Sequence, residues 1–320
     1  MGFFKNILVF YNEEFAGIKE EVTRLVHENQ AKLKIIDVLD KFDQYTEVLP
    51  PSSSISDLKD LIISERRLEI LGHFEADPDI RKKMTVVFKF GNVVVEIIRE
   101  AIGGQHDLVV KAASGNKTFK DRLFGNIALK LLRECPCPVL IFKPSERKSF
   151  QKILVAVDPE KVSEENAEIG NNSNPLYRDL LDISIVMARI NKSRLSIFHS
   201  WFLPGETLFS SGRTRIEPKK LNQMKILAEK IQTQKINAIV ADYDLSDIRH
   251  SIEVRNGDPS QMIVDYVDKN NIDLIVMGTI GRSGMSGLII GNTAEKVIDR
   301  VNCSVLAIKP TNFKSRITTG

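Results

Sequence analysis

The chain has 320 residues, of which 42% are hydrophobic and 27% charged, an ordinary composition for a globular protein and a comfortable length for two domains. Lys plus Arg exceeds Asp plus Glu by only 45 − 42 = 3, which does not indicate a nucleic-acid binder. No stretch approaches the roughly 18 uninterrupted apolar residues of a membrane helix, and the first apolar run is too short for a signal peptide. Three cysteines are too few for a disulfide framework. We therefore expect a cytoplasmic protein without nucleic-acid or membrane partners.

Apolar runs alternate with amphipathic segments through the first half of the chain. Strands are predicted at residues 7–11, 33–38, 84–88, 108–110 and 139–142, and helices at residues 13–30, 55–74, 93–102 and 125–133. Strands that alternate with helices across short connections favour a parallel sheet with helices on both faces. The pattern predicts an α/β domain with five parallel strands.

The second half of the chain repeats the first. The run at residues 7–11 returns as ILVAV at residues 153–157, an offset of 153 − 7 = 146. Later matches share an offset of 166 and include Gly91 with Gly257, Asp107 with Asp273, Gly125 with Gly291 and Cys137 with Cys303. A constant offset over so long a stretch indicates a tandem duplication with about 20 extra residues in the second copy. Residues 160–174 and 203–219 hold the extra residues and are predicted to be loops. We predict two domains, residues 1–146 and 150–312.

A glycine-rich stretch follows the fourth predicted strand of the second copy. Gly278, Gly281 and Gly291 are spaced as Gly, two residues, Gly, nine residues, Gly, and Asn292 and Thr293 come next. Glycine allows a ligand to approach the main chain closely, and amides at a helix start are unpaired donors for phosphate oxygens. The spacing is neither the Walker pattern nor GxGxxG. It is compatible with a phosphate cradle.

A purely structural interpretation of the same stretch stays open. The glycines would then serve turns alone, and Asn292 would cap a helix, with Glu295 completing a capping box.

Signs of catalysis or metal binding are missing from the sequence. The five histidines are scattered without metal-ligand spacing, and there is no GxSxG motif. His199 lies near the expected cleft, where it contacts either a ligand or the backbone. We expect a binding protein and not an enzyme, with no catalytic residues and no metal ligands.

Three separated segments of the second copy carry a resemblance to a known family. They are ILVAVD at residues 153–158, NGDPSQMIVDYVDKNNIDLIVMGT at residues 256–279, and the glycine stretch followed by a final strand that ends in IKP. In order and spacing they resemble the universal stress protein family in its tandem form. The resemblance implies a five-stranded parallel sheet of the adenine nucleotide alpha-hydrolase-like type, which is flavodoxin-like and open doubly wound, and a regulatory role in stress resistance.

Many members of that family bind ATP or AMP, with or without Mg²⁺. The resemblance places Val157 and Asp158 at the adenine and ribose and Ser200 at the base. It assigns the phosphates to Gly278, Gly281, Gly291, Asn292 and Thr293. Arg282 either pairs with a phosphate or is a solvated loop residue. Independently, ligands of open parallel sheets collect at the carboxyl ends of strands where the strand order reverses, here between the first and fourth strands.

The first copy departs from this pattern. Asn12 replaces the aspartate at the strand end, and Ala112 replaces the first glycine, so that a Cβ blocks close approach. The segment Gly115 to Thr118 is predicted to be a solvated loop. The first domain is expected to be a packing or ligand-sensing partner.

Two other functions stay open from the residues. The insertion around Phe202 to Phe209 motivates a carrier or sensor of an apolar metabolite. A slow ATPase or autophosphorylating enzyme would use Ser283 or Thr293. The resemblance also implies a homodimer, or a pairing of the two copies through their final strands, residues 139–142 and 305–308, as antiparallel edges.

Overall fold

The computed structural model describes residues 3–39, 55–113, 125–144, 149–159, 176–203, 216–280 and 290–318. The chain forms two compact units. Unit 1 comprises Met1–Lys148 and Phe313–Gly320, and unit 2 comprises Ser149–Asn312. Within unit 1, Arg99 Nε donates a hydrogen bond to the Thr318 carbonyl oxygen at 3.3 Å. The end of the chain is therefore held by the first unit.

Unit 1 is a five-stranded parallel sheet with helices between the strands. Its strands are β1 (Asn6–Phe10), β2 (Lys32–Leu39), β3 (Met84–Phe90), β4 (Leu108–Ala112) and β5 (Val139–Phe142). Its helices are α1 (Lys19–Asn29), α2 (Ile55–Gly72), α3 (Pro78–Lys83), α4 (Val93–Gly103) and α5 (Asn126–Glu134). The strand order is β3-β2-β1-β4-β5, and every pairing is parallel. The predicted sheet is confirmed.

Unit 2 repeats this architecture. Its strands are β6 (Lys152–Ala156), β7 (Arg194–Trp201), β8 (His250–Asn256), β9 (Leu274–Gly278) and β10 (Ser304–Ile308). Its helices are α6 (Leu176–Asn191), α7 (Pro218–Val240), α8 (Pro259–Asn270) and α9 (Asn292–Ile298). The parallel order is β10-β9-β6-β7-β8. Even the register is repeated, since Ile7 pairs with Leu33 and Leu108 as Ile153 pairs with Leu195 and Leu274.

The strand order reverses between β1 and β4 in unit 1, and between β6 and β9 in unit 2. Right-handed crossovers in opposite directions place helices on opposite faces of a sheet. Accordingly α4 contacts α5, and α8 contacts α9, each pair sharing one face. The central strands are covered on both sides, which is why they are continuous apolar runs. In unit 2 the reversal brings the carboxyl ends of β6 and β9 side by side.

Most element boundaries differ from the sequence-based prediction by one or two residues, and three differences concern where a helix begins. The predicted helix at residues 13–30 is a 3₁₀ turn, Phe15–Gly17, followed by α1, which begins only at Lys19. Helix α3 was not predicted, although Pro78 at its first position and the Asp77 side chain, which accepts from the Ile80 N–H, are start signals. Helix α7 begins at Pro218, inside the predicted loop 203–219. Among the described residues, no helix combines the length and hydrophobicity needed to cross a bilayer.

Two aspartates that match in the repeat hold the amino edge of each sheet. The Asp107 carboxylate accepts hydrogen bonds from the backbone N–H groups of Lys5 at 2.6 Å and Asn6 at 3.1 Å. The Asp273 carboxylate accepts from the N–H groups of Gln151 and Lys152, both at 2.9 Å. Each aspartate thus ties the start of the first strand of its unit to the start of the fourth.

Candidate functional site

The segment after β6 is fixed against β7 by the backbone. Val157 is buried, and its N–H donates to the Phe198 carbonyl oxygen at 2.9 Å. The Val157 carbonyl oxygen lies 3.0 Å from His199 Nδ1. Asp158 follows, half-buried, at the reversal of strand order. The resemblance assigned the nucleoside to Val157 and Asp158, and both lie at this edge.

His199 presents a buried polar atom at the same edge. A carbonyl oxygen can only accept, so Nδ1 carries the proton of this hydrogen bond, and in the neutral ring Nε2 is then an acceptor. The residue is 4% exposed, and Nε2 has no hydrogen-bond partner within the described part of the chain. Both expected contacts of His199 are therefore compatible with the geometry: Nδ1 satisfies the backbone, and Nε2 remains available.

Ser200 is placed differently from the expectation. It lies inside β7 and not after it, and its Oγ donates to the Gly257 carbonyl oxygen at 2.8 Å. Side chains alternate along a strand, so Ser200 faces the side of the sheet opposite to His199, whose ring contacts the Val157 carbonyl oxygen. Gly257 itself has a φ of +146°, which favours glycine. Ser200 supports the turn into α8, while the neighbouring His199 contacts Val157 at the carboxyl edge.

Gly278 has a packing reason to be glycine. It ends β9, and a Cβ added there would lie 2.7 Å from Leu176 Cδ2 at the start of α6. Such a distance forces one of the two groups to move. The group that approaches Gly278 closely is therefore the end of the Leu176 side chain. The sequence pattern did not reveal this contact.

Thr279 and Gly291 join the two ends of the glycine stretch. The Thr279 N–H donates to the Ile308 carbonyl oxygen at 3.2 Å, and the Gly291 N–H donates to the Thr279 carbonyl oxygen at 2.8 Å. The Gly291 amide is therefore engaged. Thr279 is 1% exposed, and its Oγ1 has no hydrogen-bond partner among the described residues. Sequence analysis did not single out Thr279, although it directly follows the strand-end glycine. Gly281, Arg282 and Ser283 lie outside the described residues.

Helix α9 begins one residue earlier than the capping-box interpretation requires. Gly291 is the N-cap, with no side-chain hydrogen bond to the helix start. Asn292 is the first helical residue and is exposed, and Thr293, the second, is half-buried. The interpretation of Asn292 as the cap is wrong, because a side chain already inside the helix is not at the capping position.

In unit 1 the equivalent edge is filled by side chains of that unit. Tyr11, at the position of Val157, has its hydroxyl 2.7 Å from Glu69 Oε1. Asp37, at the position of His199, accepts from Arg66 Nε at 3.0 Å. The Arg66 guanidinium also lies over the Tyr11 ring, 5.2 Å from its centroid. Glu69 and Arg66 come from α2, which closes this edge.

The titration of these groups reflects their burial. Burial raises the pKa of Asp37, while the Arg66 charge opposes the rise. Burial, aided by the hydrogen bond to Glu69, also raises the pKa of Tyr11. If the buried Ile70 of α2 is matched with the buried Ile236 of α7, Arg66 and Glu69 correspond to Gln232 and Lys235. On this match, the described residues of unit 2 place Gln232 and His199 where unit 1 has the Arg66–Asp37 ion pair.

A buried lysine further distinguishes unit 1. Lys111, in β4, is 2% exposed, and its Nζ donates to the Ala112 carbonyl oxygen at 2.6 Å. Burial lowers the pKa of Lys111, and the charge of Glu14 works in the opposite direction. Unit 2 has Met277 at the same register position. Charged and aromatic side chains, Tyr11, Asp37 and Lys111, thus stand in unit 1 where unit 2 has Val157, His199 and Met277.

The described residues contain no group of three or more His, Cys, Asp or Glu side chains placed to hold a metal ion.

Comparison with known proteins agrees with the repeated fold. The sequence profile described as the universal stress protein family matches residues 4–143 and again residues 149–309. A universal stress protein E homolog from Haemophilus influenzae is 29% identical over 325 residues, which cover 96% of this chain and 98% of that protein. Universal stress protein E from Escherichia coli K12 is 30% identical over 222 residues, covering 69% of this chain and 66% of that protein.

Solved structures share the architecture. A protein from Pseudomonas aeruginosa PAO1 aligns with a TM-score of 0.65 at 20% identity, covering 97% of this chain and 94% of its own. A universal stress protein from Archaeoglobus fulgidus aligns with a TM-score of 0.59 at 20% identity, covering 95% and 98%. These likenesses bear on the fold, and the two profile matches in tandem span almost the whole length. The chain belongs to the universal stress protein family.

Proposed function

We propose that unit 2 binds an adenine nucleotide, ATP or AMP, at the carboxyl ends of β6 and β9, and that the protein acts in the cytoplasm as a regulatory binding protein in stress resistance. The observation that carries the proposal is the pair of buried polar atoms at this edge, His199 Nε2 and Thr279 Oγ1, which lack partners among the described residues. In unit 1 the matching residues are Asp37, which is paired with Arg66, and Ala113.

The residues at this edge fit the parts of such a ligand. The acceptor His199 Nε2 suits the exocyclic amine of adenine, and the apolar Val157 suits the face of the ring. The Asp158 carboxylate would accept hydrogen bonds from the ribose hydroxyls. The Thr279 hydroxyl, with Asn292 and Thr293 at the start of α9, would donate to phosphate oxygens. Any Mg²⁺ would be coordinated by the phosphate oxygens of the nucleotide.

The test is calorimetric titration of ATP with Mg²⁺, and of AMP, into the full chain. The informative variant is D158N/T279A, which removes the charge of Asp158 and removes the hydroxyl of Thr279 together with its methyl group. Replacing Gly278 would be a poor choice, because any side chain there displaces Leu176 whether or not a ligand binds. N12D, which introduces the aspartate into unit 1, is the matched control.

We expect about one site per chain, with an affinity at least about tenfold lower in D158N/T279A, since a hydrogen bond to a charged group contributes roughly 1.5–3 kcal/mol. N12D should bind as the wild-type protein does. In this variant the side chains of Tyr11, Asp37, Arg66 and Glu69, which we call the Tyr11–Arg66 cluster, still fill the carboxyl edge of unit 1. Equal affinities in all three proteins, or no heat with either nucleotide, would contradict the proposal.

We further propose that the nucleotide is bound without turnover. Hydrolysis needs a group that activates the attacking water, and neither Ser283 nor Thr293 comes with an identified base. Incubation of the protein with labelled ATP should release no phosphate above the level of a D158N/T279A preparation. Release that the variant abolishes would favour the slow ATPase.

A second candidate is a carrier of an apolar metabolite. Phe202 follows β7 at the same edge and is 59% exposed, so its ring is accessible to an apolar ligand. The rest of the insertion to Phe209 lies outside the described residues. Native mass spectrometry of freshly purified protein should then reveal a retained organic molecule, and its absence would remove this candidate.

A further inference from the structure

A second depression lies in unit 2, away from the carboxyl edge, between α8 and the face of the sheet formed by β7 and β8. Its volume is about 320 Å³. Ser196 and Phe198 form its floor, and Tyr266 and Met262 of α8 form a wall. Cationic side chains stand around its rim. We call this depression the α8 pocket.

The floor of the α8 pocket combines apolar surface with hydroxyl groups. Ser196 and Phe198 are both almost completely buried. The Tyr266 hydroxyl donates to Ser196 Oγ at 3.1 Å, and the rings of Phe198 and Tyr266 lie 5.2 Å apart with a tilt of 54°. Two aromatic rings and the Met262 thioether suit a flat, polarisable ligand body better than a strongly hydrated one.

Positive charge collects at one end of the pocket. Lys152 and Arg194 begin adjacent strands and are register partners, and Lys269 lies in the last turn of α8. Lys152 Nζ donates to the Asn270 carbonyl oxygen at 2.7 Å. Neither Arg194 nor Lys269 forms an ion pair with another described residue. An anionic group at this end would therefore meet cations that no carboxylate neutralises.

The other end of the pocket is more balanced. Arg255 pairs with Glu253 at 2.6 Å, and the Asp265 carboxylate accepts from Gln261 Nε2. The four cations and two carboxylates of the lining leave a local charge of 4 − 2 = +2. The charge asymmetry fixes the direction in which an amphiphilic anion would bind, with its charged group toward Arg194.

Unit 1 closes the corresponding place with ion pairs. By strand register and by the offset of 166, Lys34 matches Ser196, Glu100 matches Tyr266, and Lys89 matches Arg255. Lys34 Nζ lies 2.8 Å from Glu100 Oε1, and Lys89 Nζ lies 3.8 Å from Glu100 Oε2. With Ser196 and Tyr266 at the positions of Lys34 and Glu100, unit 2 lacks the half-buried carboxylate of Glu100. The neutral floor of the α8 pocket is thus particular to the second unit.

We propose that the α8 pocket binds a small aromatic carboxylate, with the ring against Phe198 and Tyr266 and the carboxylate at Arg194 and Lys269. A bare inorganic anion would leave the aromatic floor unused, and a neutral aromatic would leave the cations unused. This site is separate from the nucleotide site of the proposed function and does not depend on it.

The test is titration of the full chain with 2-naphthoate and with its uncharged amide, 2-naphthamide, followed by calorimetry. R194E reverses one rim charge without touching the floor. K32E changes the residue at the same register position in unit 1 and is its matched control. S196K/Y266E rebuilds the Lys34–Glu100 pair inside the pocket. Circular dichroism checks that each variant is folded.

We expect 2-naphthoate to bind at least about fivefold more tightly than 2-naphthamide and to lose affinity as salt is added, because partly exposed charges are screened. R194E should weaken binding about tenfold, K32E should not change it, and S196K/Y266E should abolish it. Equal binding of acid and amide, equal effects of R194E and K32E, or no binding of 2-naphthoate would each overturn the proposal. If S196K/Y266E does not fold, the comparison of R194E with K32E decides alone.

Discussion

At the residue scale, Asp273 shows that a residue which matches between the two copies can have a structural role. It directly precedes the strand that leads to the glycine stretch, where a functional role would be easy to assume. Its carboxylate instead accepts two backbone N–H groups at the opposite edge of the sheet, as that of Asp107 does in unit 1. The two residues match because both units need the same support.

Removal of this support should cost stability and not binding. D273A leaves the N–H groups of Gln151 and Lys152 without their carboxylate, so we expect the free energy of unfolding of unit 2 to fall by about 1–3 kcal/mol. Urea denaturation measures the change, with D107A as the matched variant in unit 1. Unchanged stability together with lost nucleotide binding would show that Asp273 is a ligand-binding residue.

Lys111 allows a prediction with a pH dependence. Burial lowers its pKa below the ordinary value of 10.5, so around neutral pH the unfolded chain holds this proton more firmly than the folded protein does. The destabilising effect of Lys111 should therefore diminish as the pH rises toward 10.5. K111M, which introduces the residue found at Met277, should stabilise unit 1 by about 1 kcal/mol at neutral pH.

The gain from K111M should shrink in alkaline solution, because the wild-type lysine is then neutral in both states. Urea denaturation of both proteins at neutral and at alkaline pH provides the comparison. A gain of equal size at both pH values would mean that packing, and not the buried charge, separates the two side chains.

At the element scale, two helix starts can be predicted from the local sequence. Asp258 precedes Pro259 at the start of α8, and Asp77 precedes Pro78 at the start of α3. The Asp258 carboxylate accepts from the Gln261 N–H at 3.1 Å and from the Ser260 hydroxyl. The aspartate satisfies a helix-start donor, and proline at the next position has no N–H to satisfy.

Loss of this cap should be visible only when the carboxylate is ionised. D258A should lower the free energy of unfolding by about 1 kcal/mol at neutral pH. The hydrogen bond from Ser260 holds the pKa of Asp258 below its ordinary value of 3.8. The stabilisation is therefore present above pH 3.8 and is lost as the pH falls through the lowered pKa. Thermal unfolding on both sides of that value measures it, and D268A on the same helix is the control. A difference that persists in acid would exclude the carboxylate as its cause.

At the scale of the whole molecule, the two units share one backbone fold but carry different side chains at matched positions. The registers of the two sheets coincide, yet ion pairs fill two places in unit 1 that unit 2 leaves to neutral residues. These are the carboxyl edge, with Arg66 and Asp37, and the sheet face under α4, with Lys34 and Glu100. Divergence after the duplication therefore changed polar side chains that pack against the sheet and left the apolar strand pattern intact.

If unit 2 binds the nucleotide as proposed, this difference between the units predicts which strands the nucleotide stabilises. With ATP and Mg²⁺ at about one hundred times the dissociation constant, the bound unit should gain roughly 2.7 kcal/mol of stability. Hydrogen exchange followed by mass spectrometry should show new protection at β6, β9 and their connections in unit 2, and none at β1 and β4. The N12D protein should give the same map. Equal protection at β1 and β4 would mean that the Tyr11–Arg66 cluster does not close unit 1.

Much of the fold could be predicted from the sequence alone, because strand and helix periodicity and turn chemistry are local. The alternation of apolar runs, the offset of 166 and the glycine stretch were enough for two five-stranded parallel sheets. Local signals also placed Asp158 and Gly278 at neighbouring strand ends. The position of the helix cap was predicted less well. The N-cap of α9 is Gly291, one residue before the predicted Asn292, and helix boundaries are commonly uncertain by one or two residues.

Only the tertiary structure decided which side chains occupy the sites. Leu176 approaches Gly278, Arg66 pairs with Asp37, and Tyr266 meets Ser196 at a sequence separation of 70 residues. These contacts depend on which strands and helices lie together and on which face each side chain points. No local pattern encodes a partner so far along the chain. For this reason the sequence by itself determined two matching α/β units, while their tertiary packing decided that they present different surfaces.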